Sequence, residues 1–166
     1  MKIRLLVTGG TFDKEYNELE GSLFFQDTHL PEMLRLGRCQ LDLEIERLLM
    51  IDSLEMTDAH RERILQACLA ARGERIVITH GTDTMEVTAR YLGERVKGQT
   101  IVLTGAMVPY SVSGSDALFN LGSAIAAAQL VPAGVYIAMN GRCFPWHAVR
   151  KDRTRGVFEG EPLQTP

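Results

Sequence analysis

A doubly wound α/β fold, with a mostly parallel sheet flanked by helices, is predicted by three features of the sequence. Short β-branched apolar runs alternate with stretches of helical periodicity. The runs end in small polar residues, the same kind of punctuation recurring after one strand and the next. The chain has 166 residues, long enough for one sizeable core and too short for two ordinary domains.

Residues 2–7 are predicted as the first strand, running into Thr8-Gly9-Gly10-Thr11. Glycines there let the backbone turn sharply and let a ligand come close. Residues 12–29 lack clear periodicity, mix polar residues with Tyr16, Phe24 and Phe25, and read as a long loop or loose hairpin. Loops of that length in compact domains often act as lids. Pro31 opens a short helix, since proline is tolerated in a first turn. Residues 41–51 read as a second strand ending at Asp52-Ser53, and Thr57 caps a helix with Ile64, Leu65, Cys68 and Leu69 as its apolar stripe, stopped by Gly73.

A third strand over residues 76–79 precedes the stretch Thr79-His80-Gly81-Thr82-Asp83-Thr84. Asp83, with Glu86 three residues on, resembles a capping box, and Met85, Ala89 and Leu92 recur on one helical face. A fourth strand at residues 100–103 ends at Thr104-Gly105-Ala106; Ser115 or Ser113 then caps a helix carrying Leu118, Leu121, Ile125 and Ala128 on one side. Residues 135–139 give a fifth strand, closing at Asn140-Gly141. After residue 142 the rhythm breaks: a flap or extra strand through Val149 is expected, then a frayed end after Phe158. One catalytic domain is therefore expected over residues 1–158, with a tail over 159–166.

The composition narrows the function. Net charge is −3 with acids and bases interspersed, so neither nucleic acid nor a membrane surface is an expected partner. The local cluster Arg150, Lys151, Arg153 and Arg155 reads, for its arginines, as a solvated face. No apolar stretch is long enough to span a bilayer or to serve as a signal-peptide core, and a cytoplasmic location is expected. Three distant cysteines and four histidines show no ligand spacing, so neither disulfide nor metal is implied. Cys68 reads as a small core residue.

Parallel strands share one C-terminal edge, so the turns at residues 8–11, 52–53, 79–83 and 104–105 must converge around one crevice. Three chemistries compete for it. A phosphate or dinucleotide cradle would use the glycines, yet Gly9-Gly10 belongs to neither of the usual glycine-rich fingerprints. A flavodoxin-like binding module is possible on fold alone. The third is attack by a threonine hydroxyl on a carbonyl, with a desolvated lysine as base, Asp83 orienting it and turn N–H groups holding the oxyanion.

Six motifs then bear on the choice: T-G-G-T-F at residues 8–12, D-S-L-E-M at 52–56, H-G-T-D-T-M-E at 80–86, L-T-G-A-M-V-P at 103–109, S-D-A-L-F-N-L at 115–121 and V-Y-I-A-M-N at 135–140. In that order they resemble the bacterial L-asparaginases of the asparaginase/glutaminase family, over roughly residues 1–158. The resemblance implies an amidohydrolase that turns asparagine into aspartate and ammonia with two threonines and no cofactor. Thr11 is matched to the nucleophile, and Thr82 to the second threonine, supported by Lys151 and Asp83. Tyr16 is matched, at a different spacing, to a tyrosine that helps activate the first threonine. Ser53 is matched to the substrate's α-carboxylate and Asp83 to its α-amino group, with Gly81 beside them.

Two departures carry consequences. Larger members of the family have a glutamine after the serine of the second motif, where this chain has Leu54. They also have a second, smaller domain, and this sequence stops where that domain would begin. Weak affinity for asparagine is therefore expected, as is self-association to close the site; a non-catalytic binder of a small amino acid or amide is the competing reading.

Overall fold

The computed structural model describes residues 2–71, 73, 75–161 and 163. β1 (Ile3–Gly9) passes through a short 3-10 turn at Thr11–Asp13 into a hairpin, β2 (Lys14–Asn17) and β3 (Ser22–Phe25), then α1 (Leu30–Leu36) and β4 (Leu43–Ile51). A second 3-10 turn, Ser53–Glu55, precedes α2 (Asp58–Ala70) and β5 (Arg75–Thr79). α3 (Met85–Arg95), β6 (Thr100–Thr104), α4 (Ala117–Leu130) and β7 (Gly134–Met139) follow. The chain then forms β8 (Arg142–Pro145) and a hairpin of β9 (Val149–Asp152) and β10 (Val157–Gly160).

The main sheet has the order β4-β1-β5-β6-β7-β8. Its first five strands are parallel and β8 runs antiparallel on the edge beside β7. This is the doubly wound sheet the sequence predicts. Side chains alternate across it, as the pleat requires. Leu6, Ile76, Ile78, Ile101, Leu103, Val135 and Ile137 face α2 and α3, where Ile64, Cys68, Met85, Ala89 and Leu92 meet them. Ile3, Leu5, Val7, Val77, Val102 and Tyr136 face α1 and α4, where Met33, Leu121, Ile125 and Ala128 meet them. Two buried faces explain why the strands read as continuous apolar runs rather than as alternating ones.

Several boundaries differ from the sequence reading. Asp83 and Glu86 do not form a capping box: the N-cap of α3 is Thr84, with no side-chain cap bond. Asp83 instead pairs with Lys151, and Glu86 accepts the Lys151 backbone N–H, so both carboxylates are drawn to a group 65 or more residues away. Two distant donors on Lys151, its amine for Asp83 and its backbone N–H for Glu86, have taken the place of the local cap. Asp116 rather than a serine is the N-cap of α4, although Ser115 Oγ accepts from Ala117 N. Leu118 points outward and is exposed. The expected loose hairpin is formed by β2 and β3, and the expected flap becomes β8 plus the β9–β10 hairpin. Glu159 and Gly160 complete β10, while residues 162 and 164–166 of the expected tail lie outside the described residues.

Candidate active site

β1 lies between β4 and β5, so the chain winds one way from β1 to β4 and the other way from β5 to β7. The crevice at such a reversal, beyond the carboxyl ends of the strands, is where open α/β sheets take ligands. Val7 pairs with Thr79 across it, so the turns leaving β1 and β5 emerge side by side. Gly9 and Gly10 have φ of 94° and 81°, a region that favours glycine. A β-carbon on Gly10 would fall on the backbone of Gly81. Thr11 and Thr82 are each the next residue after these two touching glycines.

The Ser53 turn joins from the β4 side. Asp52 is its N-cap, its Oδ1 accepting from Leu54 N at 2.9 Å, and Gly10 N donates to Ile51 O at 3.1 Å. Thr84 Oγ1 donates to Ser53 O at 2.8 Å. Ser53 is buried, and a β-carbon on Gly81 would meet its Oγ. Gly10 is thus required by its approach to the Gly81 backbone, and Gly81 by its approach to Ser53.

Lys151 is delivered by β9. Its Nζ donates to Thr82 Oγ1 at 2.8 Å and to Asp83 Oδ1 at 2.7 Å, and its side chain is only 5% exposed. Its backbone N–H donates to Glu86 Oε2 at 2.7 Å, while β10 pairs Phe158 opposite it and buries that ring. The amine is therefore held in place from both its backbone and its tip. The neighbouring arginines divide: Arg150 and Arg155 reach Glu159 on the surface, whereas Arg153 donates to the Asp83 carbonyl at 3.1 Å.

Five of the residues singled out from the sequence thus meet directly: Ser53, Gly81, Thr82, Asp83 and Lys151. Thr11 adjoins them through Gly10. Tyr16 stands apart on β2, opposite Leu23 and 57% exposed.

Two partners escape sequence reading. Glu86 carries the spacing of a helix cap, which hides its bond to Lys151. Lys14, three residues after Thr11, forms an ion pair with Asp52 and so ties the base of the β2–β3 hairpin to the Ser53 turn. Burial alone would raise the Asp52 pKa, but Lys14 and the Leu54 N–H outweigh it and hold the carboxyl below its usual range. A lysine inside an aperiodic polar stretch carries no local signal of a partner 38 residues on.

His80, fully buried behind the threonines, is the most strongly perturbed group near the site. Burial, with the charge of Arg61 adding to it, pushes its pKa down to about 4 against the pull of the Gly81 carbonyl, so the ring is neutral at pH 7. The unfolded chain binds a proton on this residue below its ordinary value of 6.5, while the folded chain resists until about 4. Stability from this residue is therefore fully present above 6.5 and is lost as pH falls toward 4, in all about 3 kcal/mol. Roughly 2 kcal/mol of that should be gone by about pH 5. Urea midpoints at about pH 7.5 and about pH 5 should fall further apart in the wild type than in His80→Asn.

An apolar groove between α1 and α4, lined by Met33, Leu34, Leu121 and Ile125, holds none of these groups. Among the described residues no three His, Cys, Asp or Glu side chains converge as a metal would need. No helix among them is long and apolar enough to cross a membrane.

Known proteins resemble this chain in sequence and in structure. It is 32% identical to the probable periplasmic L-asparaginase of Haemophilus influenzae over 171 residues, 93% of this chain and 47% of that protein. It is 34% identical to a glutamyl-tRNA(Gln) amidotransferase component of Methanococcus vannielii, over 84% of this chain and 34% of that one. The structure of the thermostable L-asparaginase from Thermococcus kodakarensis superposes with a TM-score of 0.85 at 29% identity, covering 96% of this chain and 51% of that one. The chain spans about half the length of these two asparaginases, and about a third of the amidotransferase component. The family described as "Asparaginase, N-terminal" matches residues 2–159, nearly the whole sequence, and the chain belongs to that family.

Proposed function

We propose that this chain hydrolyses the side-chain amide of L-asparagine to L-aspartate and ammonia through an acyl-enzyme on Thr11. One observation supports this over a simple binding site. A nearly buried lysine amine sits in hydrogen-bond contact with a threonine hydroxyl and a carboxylate at once. A binder of small amides has no use for a base placed on a hydroxyl; a hydrolase does.

In the proposed reaction Thr11 Oγ attacks the amide carbon. The proton it loses passes to the amide nitrogen by way of the Tyr16 hydroxyl once the β2–β3 hairpin folds over the site. The carbon–nitrogen bond breaks and ammonia leaves, with the acyl group held as an ester on Thr11. Water then attacks the ester carbon, and its proton is taken up through Thr82 and the Lys151 amine hydrogen-bonded to it. The bond to Thr11 breaks, that proton returns to Thr11 Oγ, and aspartate is released. Asp83 holds the amine in line, and backbone N–H groups of the turns carry the oxyanion. Ser53 and Gly81 bind the α-carboxylate end, and Asp83 takes the α-amino group.

Affinity should be weak. Leu54, beside Ser53, is exposed and has no polar atom to offer the substrate amino group. A missing charge-assisted contact costs roughly 1.5–3 kcal/mol, about one to two decades in affinity. Ammonia release from asparagine is expected with a KM of about a millimolar or higher, whereas a micromolar KM contradicts the weak-binding part. No release from asparagine or glutamine, with tight binding of either, would instead support the binder. We further propose a cytoplasmic homo-oligomer, whose neighbouring copy covers the open side of the site. Exposed Phe119 and Leu130 on the uncharged helix α4 support self-association, and an active monomer in sedimentation removes that part.

A further inference from the structure

Behind the threonines a line of buried groups runs from the surface of α2 to the Gly81 carbonyl. Arg61 donates through a terminal nitrogen to Asp58 Oδ1 at 3.0 Å and through Nε to Thr88 Oγ1 at 3.2 Å. Thr88 Oγ1 lies 2.8 Å from His80 Nε2, and His80 Nδ1 lies 2.7 Å from Gly81 O. Arg61, Thr88 and His80 are all buried, so none of these groups has water as an alternative partner.

The chemistry of the groups fixes the direction of every bond. Arginine has donors only, so Thr88 Oγ must accept from it and is left with its own O–H to give. A carbonyl accepts only, so the His80 nitrogen facing Gly81 O must carry the proton. In a neutral imidazole the other nitrogen, Nε2, is then an acceptor and receives the Thr88 O–H. The Met56 sulfur, 3.1 Å from Nε2 and 3.7 Å from Thr88 Oγ1, is a weak acceptor that offers no stronger arrangement. The reverse tautomer would set a lone pair against the Gly81 oxygen.

The end of the line is the peptide between Gly81 and Thr82. The described residues contain no cis peptide, so Thr82 N–H points opposite to the carbonyl that His80 holds, away from the ring. Thr82 is 5% exposed, and among the described residues its N–H has no acceptor. A nearly buried donor left without a protein partner, on the residue whose hydroxyl touches Lys151, is a position for a substrate oxygen.

Building on the amidohydrolase reading, we infer that Arg61, Thr88 and His80 form a one-way donor relay that locks the Gly81–Thr82 peptide. The relay presents Thr82 N–H to the substrate carbonyl oxygen as charge develops on it. His80 and Thr88 are positioning residues: they never touch the reacting atoms. Their effect belongs in kcat, because a misaligned oxyanion donor weakens the transition state more than the bound substrate.

Two measurements test this on the intact protein. Long-range proton–nitrogen NMR of the wild type should show His80 as the Nδ1–H tautomer; an Nε2–H ring overturns the relay, whether or not the protein has any activity. In ammonia release, Thr88→Val should lower kcat about tenfold with little change in KM. Thr88→Ser, which keeps the hydroxyl, should recover kcat to within about twofold. An unchanged kcat in folded Thr88→Val, or a loss in Thr88→Ser as large as in Thr88→Val, overturns the positioning role. If Thr88→Val does not fold, Thr88→Ser and the ring tautomer decide. A wild type that releases no ammonia refutes the hydrolase reading and with it the catalytic use of the relay, whereas the tautomer still judges the relay itself.

Discussion

Thr11→Ala should release no measurable ammonia from asparagine, a fall of roughly 10⁴-fold or more, while the protein stays folded and still binds aspartate. The size follows from what is removed. Without the Thr11 hydroxyl there is no ester, and Thr82 sits on the far side of the Gly10–Gly81 contact, held by Lys151 rather than free to attack in its place. Stability should change little, because Thr11 is only half-buried and the turn around it is set by Gly9 and Gly10. Thr11→Ser should keep part of the activity, since the nucleophilic oxygen survives while the methyl group that restricts its rotamer does not. A Thr11→Ala protein with wild-type turnover would move the nucleophile elsewhere.

Replacing Lys151 should cost about 10³-fold in kcat, and the choice of replacement separates two roles. Lys151→Met removes both the charge beside Asp83 and the amine that serves Thr82. Lys151→Arg keeps a cation for Asp83 but supplies no group able to take a proton at any working pH. If the amine acts as a base, both variants lose turnover to a similar degree; if it only neutralises Asp83, the arginine variant retains most of it. Neither change should unfold the chain. Asp83 is 40% exposed and can be solvated when left alone, and the Lys151 N–H to Glu86 bond belongs to the backbone. Turnover and urea midpoint measured on both variants check the two statements together.

The parts of this fold legible in the sequence are those written in local pattern. Ile76, Val77 and Ile78 read as a strand buried on both faces, and the structure divides them between the two cores. Parallel order then forces the turns at Thr11, Ser53 and Thr82 to one edge, so most of the candidate site can be assembled before any coordinates. What stays hidden depends on distant partners. Asp83 and Glu86 carry the spacing of a capping box, and nothing nearby reveals that Lys151 from β9 takes both. Lys14 gives no hint of Asp52, nor does Arg61, in the polar part of the α2 pattern, announce its bond to Thr88. β8 follows Asn140-Gly141, whose φ of 49° and 79° suit a tight two-residue hairpin turn, whereas the β9–β10 hairpin is hard to read because its short, mixed sequence gains stability from packing on α3 rather than from periodicity.

The most direct measurement is the mass of the protein itself, quenched during turnover of asparagine or after reaction with an electrophilic asparagine analogue, then mapped by peptide. Acylation through Thr11 predicts one added acyl group on the peptide that contains residues 8–12. Ammonia release with no adduct there, or with the adduct on the peptide containing Thr82, would contradict it.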